Sequence, residues 1–347
     1  MAIFTAADFD NHELVTFCCD EETGLRAIIA IHNTNRGPAL GGCRYWSYQS
    51  EQEAITDVLR LSRGMTYKSA LANLNLGGGK SVIIGDAAKD KTPEKMKAFG
   101  RFIERLNGLY ITAEDVNTTP EDMRMIHQGT SHVVGLPGNG GSGDPSIITA
   151  YGVYMGIKAC VKYKFKVNSL AGLHIALQGL GHVGMELARL LHADGVKLTV
   201  ADLNSESVQY AVDHFSATAV SVHDILKTPC DIFSPCALGG VINDGTIDQL
   251  NCKIIAGAAN NQLAEARHGH ILHQKGLLYA PDYLINAGGL INVTYEGPNY
   301  NRHVVLKHVD GIYNTMMEIL HMAEEQDIPT NIACDQIAEQ RFQKANR

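Results

Sequence analysis

His174-Ile-Ala-Leu-Gln178 runs directly into Gly179-Leu180-Gly181-His182-Val183-Gly184 and then into Met185 to His192, which reads as a strand, a glycine-rich turn and a helix. Each glycine has a separate reason to be there. Gly179 permits the tight turn, Gly181 lets the backbone approach a pyrophosphate, and Gly184 allows the helix to lie close on the strand. Free amides at the helix start, on His182 and Val183, then face the phosphates. A second strand, Lys197 to Ala201, ends in Asp202, where a ribose-binding carboxylate belongs. Asp202 would repel a 2′-phosphate and neither Leu203 nor Asn204 offers a compensating positive charge, so the expected cofactor is NAD rather than NADP. The competing reading is that these glycines serve only helix packing and that Asp202 caps the next turn.

Outward from this motif, strands and helices alternate. His174 to Gln178, Lys197 to Ala201, Asp231 to Ser234, Lys253 to Ala256 and Gly276 to Ala280 read as strands, a rhythm that predicts a parallel sheet with helices on both faces. Upstream, a helix through Tyr151 to Tyr163 follows the loop-like run Pro137 to Pro145, which is expected to be a domain boundary or hinge. The first half of the chain has its own elements. Leu25 to His32 is strand-like, and Glu51 to Met65 carries Ala54, Val58, Leu59 and Leu61 on one helical stripe opposite Glu53, Asp57 and Arg60. Gly77-Gly78-Gly79-Lys80 reads as a turn leading into the strand Ser81 to Ile84, with the lysine where loop becomes strand.

A chain of 347 residues exceeds the size at which one core usually keeps growing. The expected fold is therefore α/β with two domains and a cleft between them: an N-terminal α/β catalytic domain over 1–136, joined by a C-terminal helix over 328–347, and a Rossmann dinucleotide-binding domain over 137–327. With 29 Lys plus Arg against 37 Asp plus Glu, the net charge of −8 and the lack of any basic block argue against a nucleic-acid partner. Met1 to Asp10 has no basic and then apolar leader pattern, and no apolar run approaches membrane-spanning length, so a cytoplasmic protein is expected. The eight cysteines form no CxxC pair and read as reduced thiols. His268, His270 and His273 resemble a metal cluster, but Glu265 and Arg267 beside them point to a solvated helix face, and no metal is expected. There is no GxSxG motif, and Leu74 stands where a P-loop needs its first glycine.

Two lysines remain. Lys68, in Met65-Thr66-Tyr67-Lys68, and Lys80 form a cationic pair suited to an anionic substrate: one can hold a carboxylate, while its charge and partial burial lower the pKa of the other toward that of a base. An acidic partner stands in Thr112-Ala113-Glu114-Asp115-Val116-Asn117, where the apolar strand Leu109 to Ile111 gives way to a polar turn. From spacing alone, a lysine after three glycines is equally readable as a surface residue, and Glu114-Asp115 as a helix cap.

These segments, with Gly37-Pro38-Ala39-Leu40-Gly41-Gly42, Arg63-Gly64, Gly257-Ala258-Ala259-Asn260-Asn261-Gln262 and Asn286-Ala287-Gly288-Gly289, resemble the family shared by glutamate, leucine, phenylalanine and valine dehydrogenases, and within it the leucine-acting branch. The resemblance covers nearly the whole chain. It implies NAD-dependent oxidative deamination of a branched-chain L-amino acid, with Lys68 binding the substrate carboxylate, Lys80 activating water, and Asp115 relaying protons at the amino nitrogen. It also implies nicotinamide-side contacts from Thr149, Ala237 and Asn260, orientation of substrate by Asn261, and a side-chain pocket from Leu40, Gly41, Met65, Ala113, Leu290 and Val293. The glutamate enzymes place a lysine where Leu40 stands, so glutamate is expected to react poorly. Phenylalanine or tryptophan as substrate is the alternative, and a non-catalytic NAD-binding regulator is the alternative of another class. The family's octamers and dimers imply a homo-oligomer; His182, Cys43 and the end at Arg347 depart from its pattern.

Overall fold

The computed structural model describes residues 3–136 and 143–343, so the hinge expected at Pro137 to Pro145 lies largely outside the described residues. Contacts divide the chain into two units, Met1–Gly143 with Val293–Tyr300 and Ala338–Arg347, and Asp144–Asn292 with Asn301–Ile337.

The first unit is built on five strands, β1 (Leu14–Asp20), β2 (Leu25–Asn33), β3 (Ala39–Trp46), β4 (Gly77–Ile84) and β5 (Tyr110–Glu114), in the spatial order β1-β2-β4-β3-β5. β1 pairs antiparallel with β2 and β2 antiparallel with β4, whereas β3 runs parallel to both β4 and β5. Burial on both faces explains the run of Ile and Ala in β2. On one face Ile28, Ala30 and Val82 pack with Ala54, Val58 and Leu59 of α1 (Glu51–Leu71). On the other, Ile29, Ile31, Tyr45 and Ile83 pack with Met96, Phe99 and Ile103 of α2 (Pro93–Glu104) and with Met123 and Ile126 of α3 (Pro120–His127). Caps set the helix starts: Ser50 accepts from the Glu53 amide, and Thr119 with Asp122 forms a reciprocal box before α3.

Two expectations are corrected in this unit. The run Gly77-Gly78-Gly79 is strand rather than turn, and Lys80 lies in mid-strand. Tertiary contact is the reason: a Cβ on Gly77 would overlap the Asn33 carbonyl, one on Gly78 would overlap Thr66 of α1, and one on Gly79 would come 2.8 Å from the Tyr110 ring. Helix α1 also continues past Met65 to Leu71, which makes Lys68 helical.

The second unit holds a six-stranded parallel sheet of β6 (His174–Gln178), β7 (Lys197–Ala201), β8 (Thr218–Ala219), β9 (Ile232–Pro235), β10 (Ile254–Ile255) and β11 (Leu278–Tyr279), ordered β11-β10-β9-β6-β7-β8. The chain winds outward from β6 in both directions, so the strand order reverses between β6 and β9, the place where doubly wound sheets bind ligands. Its helices are α4 (Ser146–Phe165), α5 (His182–Ala193), α6 (Ser205–Phe215), α7 (Arg267–Gln274), α8 (Asp282–Ile285), α9 (Gly288–Thr294), α10 (Arg302–Val309) and α11 (Gly311–Gln326), with α9 ending in the first unit's segment. The last helix, α12 (Thr330–Gln343), divides between the units at Ile337. Thr330 donates to the Tyr279 carbonyl and Tyr283 to Asp335, which fastens its beginning to the second unit, while Arg341 donates to the Leu71 carbonyl at 2.8 Å and caps α1. Among the described residues no helix is long and apolar enough to cross a membrane.

Candidate active site

In the first unit, β3 lies between β4 and β5, in a register that pairs Leu40 with Gly78 and Ile111, Gly42 with Ala113, and Cys43 with Ser81 and Glu114. Lys80 on β4 and Asp115 just beyond β5 are therefore separated by a strand, yet the Lys80 Nζ stands 3.2 Å from the Asp115 Oδ1. The glycines of β3 make this possible. A Cβ on Gly41 would overlap the Gly79 carbonyl, and one on Gly42 would overlap the Glu114 carbonyl and stand 2.8 Å from the Asp115 Cβ. Beneath them the buried Tyr110 hydroxyl donates to the Gly41 carbonyl at 2.6 Å.

Lys80 is only 6 % exposed and Asp115 is half-buried, so each charge depends on its partners. Burial raises the Asp115 pKa, but Lys80 and Arg44 outweigh it and hold the carboxyl below its ordinary range. Arg44 Nε donates to Asp115 Oδ2 at 3.0 Å, while its Nη1 reaches Asp57 at 2.9 Å, and the Tyr48 hydroxyl donates to Asp57 at 2.6 Å. Thr118 secures the loop by accepting from the Asp115 amide at 2.8 Å and donating to the Cys43 carbonyl at 2.9 Å.

Met65 and Lys68 are half-buried on α1. Between them, Thr66 rests on the bare Gly78 and bonds the His32 Nδ1 at 2.8 Å, so the helix bearing Lys68 is seated directly on the strand bearing Lys80. His32 sits where the β2–β4 register slips between Ile31 and Asn33, a bulge that re-aims its ring. Leu40 is buried and Ala113 half-buried on adjacent strands; Val293, half-buried, belongs to this unit by contacts, and Leu290 and Asn261 to the other.

In the second unit, Gly179 turns the chain with a φ of 99°, and a Cβ on Gly184 would overlap the Gly179 carbonyl. Helix α5 starts at Gly181 with no side-chain cap, which leaves the first amides open, and nothing lies within 4 Å of where a Gly181 Cβ would be. Asp202 is pinned beside this loop: its Oδ2 accepts from the Leu180 amide at 2.5 Å and its Oδ1 from the Asn204 amide at 2.8 Å. His182 is exposed and lies 3.3 Å from Asp144. Thr149 bonds the Pro145 carbonyl at 2.8 Å, and Ala237 abuts Gly179. Asn260 accepts from Asn286 Nδ2 at 2.7 Å, while Asn286 Oδ1 is a buried acceptor with no hydrogen-bond partner. Uncapped amides, an open glycine cradle, a pinned carboxylate and an orphaned amide oxygen fit a dinucleotide.

Sequence reasoning missed Arg44, Asp57, Tyr48, Thr118 and Asn286. Arg44 stands two residues beyond Gly42, but its partner Asp115 is 71 residues away, and nothing local signals that pairing. His268 is also corrected. It is not on a solvated face but 1 % exposed, bonding Asp244 Oδ1 at 3.2 Å. Asp244, Glu265 and His268 offer atoms within 4.8 Å of one another, but Arg267 bonds both carboxylates and already offsets part of their charge.

Known proteins resemble the chain over nearly its whole length. Residues 12–132 match the Glu/Leu/Phe/Val dehydrogenase dimerisation domain, and residues 202–326 match the Glutamate/Leucine/Phenylalanine/Valine dehydrogenase domain. Leucine dehydrogenase of Bacillus subtilis (strain 168) is 54 % identical over 348 residues, covering 100 % of this chain and 96 % of its own. Phenylalanine dehydrogenase of Caldalkalibacillus thermarum (strain TA2.A1) is 48 % identical over 355 residues, covering 100 % and 95 %. The crystal structure of L-tryptophan dehydrogenase from Nostoc punctiforme superposes with a TM-score of 0.89 at 46 % identity, covering 97 % of each chain. The chain belongs to the glutamate, leucine, phenylalanine and valine dehydrogenase family, a family of NAD(P)-dependent amino-acid dehydrogenases.

Proposed function

We propose that this enzyme oxidises a branched-chain L-amino acid, leucine and also isoleucine and valine, to the 2-oxo acid and ammonium with NAD. The observation that carries the reading is the buried Lys80 ammonium held 3.2 Å from Asp115 across two glycines. A buried lysine within reach of a carboxylate that can carry a proton suits general base chemistry. The identity with leucine dehydrogenases supports the substrate.

The dinucleotide would supply a hydride acceptor; Gly179, Gly181, His182, Val183, Gly184 and Asp202 would hold its phosphates and ribose, with Thr149, Ala237 and Asn260 on the nicotinamide side. Asp202 favours NAD because its carboxylate repels a 2′-phosphate. Lys68 neutralises the substrate α-carboxylate as a fixed cation. Asp115 takes and returns the proton of the amino nitrogen. Loss of hydride from Cα would leave an iminium; Lys80 in its neutral form takes a proton from the water that attacks it, Asp115 returns its proton to the nitrogen, and the C–N bond breaks as the carbinol hydroxyl gives its proton to the departing ammonia, leaving the 2-oxo acid and ammonium.

Leu40, Gly41, Met65, Ala113, Leu290 and Val293 line the place of the substrate side chain, with Asn261 orienting the substrate. All six lining residues lack a charge, so a γ-carboxylate would be desolvated without a partner. One methylene in such a pocket changes binding by only about 1–3 kcal/mol, so the aliphatic acids react together. The similarity to the tryptophan enzyme's structure favours an aromatic substrate as the second reading. Absorbance of the reduced nicotinamide, followed with leucine, isoleucine, valine, phenylalanine, tryptophan and glutamate, is the test. The highest kcat/KM is expected for a branched aliphatic acid and the lowest for glutamate. Turnover of none would instead favour a non-catalytic NAD-binding regulator. The match to a dimerisation domain supports a homo-oligomer, read here as a dimer or octamer of a cytoplasmic enzyme.

A further inference from the structure

We propose that Arg44 is the positioning residue of the proton-transferring pair, gripping the Asp115 oxygen that Lys80 leaves free, and that Asp57 with Tyr48 holds Arg44 in turn. The proposal rests on the roles given above to Lys80 and Asp115.

A carboxylate rotates readily about its terminal bond, whose preferences are broad. With Lys80 alone, either oxygen of Asp115 could meet the ammonium, and the proton-accepting lone pairs would have no fixed direction. Arg44 removes that freedom by taking Oδ2 at 3.0 Å while Lys80 takes Oδ1 at 3.2 Å. The planar guanidinium does this with Nε and turns Nη1 to Asp57, at 3.2 and 2.9 Å from its two oxygens. Arg44 comes from β3, level with Val82 of the strand that carries Lys80; Asp57 comes from α1, the helix that carries Lys68. One side chain thus references the proton carrier to both lysine-bearing elements. All three groups are half-buried, with side chains 21–25 % exposed, so their interactions are only partly screened.

The charges balance in pairs, Lys80 and Arg44 against Asp115 and Asp57. Cys43 on β3 and Tyr110 on β5 also face Asp115, but burial pushes the Cys43 thiol up to about 12 and raises the Tyr110 hydroxyl as well, so both stay neutral. Tyr48 donates to Asp57 and is raised by burial and by that bond. Asp122 of α3 is tied to Lys91 at 2.6 Å, Glu114 of β5 is raised by burial and by Glu296, and Lys68 is half-buried in the last turn of α1. Removing a cation raises the pKa of every neighbour, and removing an anion lowers it. The sign of each shift is therefore the same for whichever neighbouring group carries the acidic limb of kcat. A residue that merely stapled elements together would produce no such opposed pair of shifts.

The test is the pH dependence of kcat and KM for the wild type, Arg44→Gln, Arg44→Lys and Asp57→Asn, with Tm recorded for each. Arg44→Gln should lower kcat about 10- to 100-fold and move the acidic limb up by about one pH unit, with a smaller change in KM. Asp57→Asn, which is isosteric, should move the limb down by about half a unit. Arg44→Lys should leave the limb within a few tenths of a unit yet lose rate, because a point charge cannot bridge two carboxylates in one plane. Limbs that do not move, or that move together, in folded variants would overturn the proposal. Should Arg44→Gln fail to fold, Asp57→Asn and Arg44→Lys decide by themselves, the downward shift and the rate loss supporting it and the absence of both overturning it. A wild type that turns over none of the six amino acids overturns the reading of Lys80 and Asp115 themselves, a failure visible without any variant.

Discussion

The glycine loop of the second unit and the Lys80–Asp115 pair of the first both prepare a site for charge, but by opposite means. Between Gly179 and Gly184 the recognising groups are backbone amides at an uncapped helix start, with a carboxylate pinned by two more amides at 2.5 and 2.8 Å. Around Lys80 they are full side-chain charges from two strands, the turn after β5 and a helix, each buried or half-buried and each dependent on a partner. Backbone amides survive every substitution except proline and do not titrate. Buried side-chain charges are lost on substitution and do titrate, so the first unit's site should be fragile to single substitutions and to acid, and the second unit's largely indifferent.

The largest effect expected is at Lys80. Lys80→Ala should lower kcat by about 10²–10⁴-fold in steady-state assays with little change in the KM for NAD, whereas Lys68→Ala should chiefly raise the KM for the amino acid. Equal effects of both substitutions on both parameters would erase the division of labour between the lysines.

Acid provides the next separation. Burial and the neighbouring His12 depress the His32 pKa from 6.5 to about 4, so the folded unit favours the neutral ring. A depressed pKa contributes stability that is complete above about pH 6.5 and is lost as pH falls toward 4, on the order of 3 kcal/mol for this group. Urea unfolding between pH 7 and 4 should show this loss, reduced in His32→Asn; an unchanged slope in the variant would remove His32 from the account.

Gly42→Ala should cost about 1–3 kcal/mol by overpacking and should also lower kcat, because the new Cβ pushes Asp115 from Lys80. A folded variant with wild-type kcat would mean that the spacing of the pair is not what β3 protects. The smallest effect is expected in the second unit, where Asp202→Ala should narrow the preference for NAD over NADP by about tenfold, a change of about 1.4 kcal/mol. A wild type that prefers NADP would break the ribose argument outright.

Much of the second unit was readable in order along the chain. The strand His174–Gln178, its glycines and the strand ending at Asp202 all appear where periodicity and spacing place them, because that site is assembled from neighbours in sequence. The first unit was less legible. Three consecutive glycines before Lys80 read as a turn since glycine weakens strands, but here each lacks a side chain because Asn33, Thr66 or Tyr110 occupies the space. His268 looked solvated because its charged neighbours are, although its own ring turns inward to Asp244.

The sequence by itself determined the alternation of strands and helices and the glycine turn between His174–Gln178 and α5, since these depend on local periodicity, and it brought the two lysines and the aspartate forward as candidates through their residue chemistry and the family resemblance. Only the tertiary structure decided that Lys80 and Asp115 meet across two bare positions of β3, and that Arg44, 71 residues from Asp115, completes the pair. Contacts between distant strands follow from sheet order and register, and no local pattern encodes which strand will lie between two others.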